Sequence, residues 1–193
     1  EQKKTYNSIV YGAISAKKEI SSEDIATLQT LAKSSADAEA TSKATAFYRA
    51  KMEKGYTISD EAEKAIREKY KDDTTLTDAD KETAIQKEID EKKKTEIDAA
   101  MATDESKAAI AELVKKGITD ATVTGAGLSS DDASKYTFAE KTERDKIAEE
   151  AVTNSVKAYN AVAKTGLTSE SSALSALGMQ NFSMEALKDE PGI

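Results

Sequence analysis

Two pairs of adjacent acids, Asp72-Asp73 and Asp131-Asp132, are the residues of this chain whose type and spacing come nearest to chemistry. Carboxylate oxygens so placed suit a hard cation such as Ca²⁺ or Mg²⁺. Neither stretch has the D-x-[DN]-x-[DN]-G order of a calcium loop. Both pairs sit where helix caps are wanted, so they are read as caps or solvated turns. No metal and no cofactor is expected.

The sequence contains no His and no Cys. The commonest general base, the usual zinc ligands and the thiol nucleophile are therefore missing. A Ser-His-Asp triad cannot be built within the chain, nor can the Glu-x-x-His motifs of di-metal bundles. No phosphate-loop or dinucleotide fingerprint occurs, and Gly125-Ala126-Gly127 is too short for one and reads as a turn. No enzymatic activity is expected.

The elements that would carry any site are helical. Of 193 residues only one is proline, Pro191, so nothing before it breaks a helix except glycines and polar caps. The segment 3–20 reads as a short helix or as an arm docking on a neighbour. Ser21 or Ser22 caps a long helix whose stripe begins Ile25, Leu28, Leu31 and ends at Gly55. Asp60 with Glu63 offers an acidic capping box for a helix carrying Ala62, Ile66 and Tyr70. Thr77 caps the next, after a polar turn. The two starts, ISDEAEKAIREKY and LTDADKETAIQKEI, read as similar caps or as a decayed repeat.

From Asp78 the apolar positions are Ile85, Ile89, Ile97 and Met101, a stripe one side chain wide. That is narrower than the apolar face of an ordinary globular helix. Charge pairs at i,i+4 each add only about 0.2–0.5 kcal/mol and do not replace packing. A helix restarts at Thr103 or continues, with Ile110, Leu113 and Val114 facing inward as far as Gly117. The region 118–140 reads as an irregular loop or short hairpin. Ile147, Ala148, Ala151, Val152, Ser155, Tyr159 and Val162 form the inward stripe of a last long helix. A tail with Met179, Phe182, Met184 and Leu187 follows.

These elements predict an all-α protein, an elongated bundle of five to seven helices. Its regions are 1–117, 118–141 and 142–193, forming one domain overall. The composition is 38% hydrophobic, 5% aromatic and 33% charged, with a formal net charge of −8. Free nucleic acid is a poor partner for such a surface, because phosphate binding needs concentrated basic charge. No apolar run reaches the ~20 residues of a transmembrane helix, and no signal-peptide pattern is visible. The chain opens at Glu1 without an initiator Met, so it is expected to be processed, trimmed or incomplete.

Missing catalytic types and a thin core favour a non-enzymatic structural subunit of a larger assembly: a viral or phage particle, a filament or a surface layer. Homo-oligomer contacts or other protein subunits are the expected partners, in a virion or extracellular assembly rather than the cytoplasm. The candidate interface comprises Ile85, Ile89, Ile97, Met101, Tyr6, Tyr11, Phe182 and Met184. The alternatives are a monomeric acidic helical adaptor and an amphipathic lipid- or granule-surface protein.

Overall fold

A computed structural model describes residues 1–164 of the chain. Among them are seven α-helices: α1 (Gln2–Ala16), α2 (Ser22–Gly55), α3 (Asp60–Tyr70), α4 (Asp78–Met101), α5 (Asp104–Lys116), α6 (Asp120–Gly125) and α7 (Lys141–Lys164). One 3-10 helix, Ser130–Lys135, lies between α6 and α7. The protein is all-α, with no strand among the described residues.

Local chemistry explains most boundaries. Ser21 Oγ accepts from the Asp24 amide at 3.1 Å and starts α2. Thr77 Oγ1 does the same for α4 from Asp80 N at 3.2 Å, and Thr103 Oγ1 for α5 from Ser106 N at 3.2 Å. Helix α5 therefore restarts rather than continuing α4. The cap of α3 is Ser59, not the expected Asp60: Ser59 is the last extended residue, and its hydroxyl accepts from Ala62 N. The region 118–140 is not a hairpin. Its residues 120–125 and 130–135 are helical, and the Thr119 and Thr122 side chains close a reciprocal capping box on α6.

The described residues form two compact units: Glu1–Ser42 with Val114–Gly117 and residues 138–164, and Lys43–Leu113 with Ile118–Thr137. Helix α2 contributes to both.

In the first unit α1 is a helix with Val10 and Ile14 buried. They join Ile20, Leu28, Ala32, Val152, Val156 and Tyr159 in one core. The turn between α1 and α2 is held to α7 by polar contacts. Tyr159 is fully buried, and its hydroxyl donates to Lys18 O at 2.7 Å. Asn160 accepts from Ile20 N at 2.8 Å and donates to Ile20 O at 3.1 Å. One side chain thus satisfies both backbone groups of a residue that no helix ladder serves.

In the second unit α3 and α4 pack on each other. Ile58, Ile66 and Ile85 form a buried cluster, with Tyr56, Ala62, Tyr70 and Ile89 against it. Two narrow stripes on adjacent helices thus supply each other's missing face. Phe47 and Tyr136 meet edge to face, with ring centroids 6.0 Å apart.

Candidate functional site

Arg144 is the one charged side chain buried among the described residues, at 7% exposure. It stands in the first turn of α7. Its Nη1 donates to Val114 O at 2.8 Å and Ala139 O at 2.6 Å, and its Nη2 donates to Asp37 Oδ1 at 2.9 Å. The guanidinium lies 5.3 Å from the centre of the Phe138 ring. Val114 carries one of the last four carbonyls of α5, which no intrahelical amide can satisfy. Arg144 therefore caps α5, ties the 138–140 segment to α7 and pairs with α2 through Asp37. Lys141 adds bonds to Asp37 and Asp145, at 2.8 and 3.1 Å. Desolvation works against the Asp37 charge, but the hydrogen bonds from Lys141 and Arg144 outweigh it and lower the pKa. Among the described residues, only Arg144 Nε is a buried side-chain polar atom without a partner. The node closes on itself, and its chemistry is structural.

Beside it, Gly117 has φ +80°, and a Cβ there would come within 2.7–2.8 Å of the 138–140 backbone. Only glycine fits a left-handed turn pressed against another strand of main chain.

One acid of each pair is engaged locally. Asp73 accepts from Thr75 N at 2.7 Å and Thr75 Oγ1 at 2.5 Å, bonds that lower its pKa. Asp132 pairs with Lys135 at 2.6 Å in the 3-10 helix. On the α3–α4 hairpin, the Tyr56 hydroxyl donates to Glu96 at 2.8 Å and that of Tyr70 to Glu88 at 2.6 Å. Those bonds raise both phenol pKa values. Two hollows mark the surface of the second unit. One, of about 750 Å³, is lined by α4 alone from Ala79 to Lys94. A single helix cannot enclose a ligand, so this is open surface. The other, of about 270 Å³, lies among Tyr48, Lys51, Met52, Gly55 and Tyr56.

Of the expected interface residues, Ile85 and Ile97 are buried within the chain, at 6% and 1% exposure. Ile89 and Met101 are half-buried, Ile89 against the α3–α4 cluster. Tyr6 and Tyr11 are half-buried against the core of the first unit, and burial, then the neighbouring Tyr11, raises the Tyr6 pKa. Phe182 and Met184 lie outside the described residues.

A surface that the sequence reading merged into the core lies on α7. The buried residues there include Arg144, Ala148, Val152, Ser155, Val156, Tyr159 and Ala163. Ile147, expected in that inward stripe, is instead 54% exposed, the one exposed large hydrophobic among the described residues. It begins a second series, Ile147, Ala151, Asn154, Ala158 and Ala161, spaced four, three, four and three. At 100° per residue these share an arc of roughly 80°. Ala151 is half-buried and the rest are exposed. The expected stripe mixed two faces one residue out of step, and packing separates them.

Comparison with protein-family models, with curated proteins and with solved structures found no match. No helix among the described residues is long and apolar enough to cross a membrane.

Proposed function

We propose that this protein is a non-enzymatic structural subunit that acts by associating with other protein chains in a larger assembly. The observation that carries the reading is Ile147, a large apolar side chain 54% exposed at the head of a heptad-spaced face. A single exposed apolar residue is ordinary on a protein surface. An exposed Ile on a 4-3-4-3 series of small residues has the form of a helix-packing seam. A viral or phage particle, a filament and a surface layer are the assembly classes that fit an acidic, Cys-free helical chain. Light scattering over a concentration series tests the reading. Masses at multiples of 20.7 kDa are expected, and 20.7 kDa at every concentration overturns it.

A second reading, a monomeric acidic helical adaptor, is favoured by the burial of Ile85 and Ile97 inside the chain. The narrow stripe of α4 needs no second chain, so the case for assembly rests on α7. The adaptor reading expects the monomer mass and capture of a basic protein partner that high salt releases.

A further inference from the structure

We propose that the occupant of the α7 face is α7 of a second copy, packed antiparallel about a two-fold axis. The inference rests on the assembly reading above and names its partner and geometry. Write Ile147 as heptad position d. Then Ala151 and Ala158 are a positions, Asn154 and Ala161 are d positions, and the flanking g positions are Glu143, Glu150, Lys157 and Lys164. The g edge is thus acidic in the first half of the helix and basic in the second. In an antiparallel pair g positions face g positions. A two-fold axis midway between residues 153 and 154 sets Glu150 opposite Lys157 of the second copy and Glu143 opposite Lys164. In a parallel pair g faces e, and the e positions are Ala148, Ser155 and Val162, which offer no charge. Charge complementarity therefore selects the antiparallel arrangement.

The same axis passes beside Asn154, so the two amides meet at the centre. A polar residue at a single seam position fixes register at some cost in stability. Ile147 then lies over Ala158 and Ala161 of the second copy, and alanines let helix axes approach to about 8 Å. The groups needed are available. Among the described residues, Glu143, Glu150 and Lys157 are exposed and hold no ion pair, and Lys164 pairs with Glu19, at 3.3 Å, with 68% of its side chain exposed. Lys146 falls at position c, away from the seam. Helix α7 has 24 residues, and the seam from Ile147 to Ala161 covers about 21 Å of it. That is small for a stable interface, so pairing through it alone is roughly micromolar.

The test is association of the full chain, followed by sedimentation equilibrium, in wild type, Ile147→Asp, Glu150→Lys, Lys157→Glu and the Glu150→Lys/Lys157→Glu double variant. Each buried Ile contributes about tenfold in affinity and the two-fold axis uses it twice, so Ile147→Asp is expected to weaken pairing about a hundredfold. Each single charge reversal places like charges opposite each other twice and is expected to weaken it roughly five- to tenfold. The double variant restores attraction at both places and returns to within about twofold of wild type. The two single variants, mixed, pair with each other in preference to themselves. The charge pattern also suits the helix dipole, so the readout is association and not melting. Ile147→Asp, at an exposed position, keeps its far-ultraviolet circular dichroism. Two outcomes overturn the pairing while leaving the assembly reading standing: a multimeric wild type indifferent to Ile147→Asp, or a double variant as weak as the singles. A wild type monomeric at every concentration overturns both.

Discussion

Replacing Arg144 with Ala tests the reading of the buried node. Arg144 makes three hydrogen bonds: two to backbone carbonyls, and one to Asp37, whose side chain is 35% exposed. Bonds from a charged donor contribute about 1.5–3 kcal/mol each. They are not additive, and the Asp37 bond is discounted because solvent screens it. Stripping a buried site of its charged partner costs about 3–5 kcal/mol in general. Arg144 Nε is unpartnered in the native state, and losing it recovers some desolvation cost. The expected loss for Arg144→Ala is therefore about 3–4 kcal/mol. Arg144→Lys retains the charge but not the planar fork that reaches three acceptors at once, so about half that loss is expected. Since the chain has two compact units, the assay is hydrogen exchange of the α7 amides in a urea series, which reads the first unit directly. Asp37→Asn in both backgrounds completes a double-mutant cycle, with a coupling of about 1 kcal/mol. A loss below about 1 kcal/mol for Arg144→Ala, or a lysine variant as stable as wild type, would refute the node as the clamp of α5, α7 and α2.

Further outcomes follow from the same structure. Gly117→Ala should cost about 2–3 kcal/mol, from the left-handed turn and the backbone contact, whereas Gly12→Ala, mid-helix with open space around it, should add about 0.5–1 kcal/mol; chemical denaturation of both variants checks the opposite signs. Ile85→Ala should cost about 2–5 kcal/mol and Ile89→Ala less, because only Ile85 is fully within the α3–α4 cluster. The lowered pKa of Asp37 means its share of stability is fully present above the unfolded carboxylate value near pH ~4. That share is lost as pH falls through the lower folded value, so acid unfolding of Asp37→Asn should be shallower than that of wild type.

The helices were legible because their ends are written locally. Ser21, Thr77 and Thr103 cap where a hydroxyl precedes a helix-forming run, and Gly55 ends α2. Two short helices between 118 and 138 were missed, since Thr, Ser and Gly signal turns as readily as caps. The narrow stripe of α4 was visible, but its complement was not. Ile58 and Ile66 lie on the preceding loop and helix, and only the turn at 71–77 brings them to Ile85. Ile147 was read as inward and Arg144 was not singled out, for one reason. Hydropathy ranks arginine outside and isoleucine inside, whereas the orphan carbonyls of Val114 and Ala139 draw the guanidinium in. That rotation of α7 leaves Ile147 in solvent. The heptad of Glu and Lys beside it stands in the sequence, but it acquires meaning only once the buried face is known.

The most direct measurement of the central claim is the solution mass of the intact chain against concentration, for wild type and Ile147→Asp side by side. Association through α7 predicts a wild-type mass that climbs from 20.7 kDa through its dimer as concentration passes the micromolar range, while the variant lags by about a hundredfold. Superimposable curves for the two proteins, whether both flat or both rising, would contradict it.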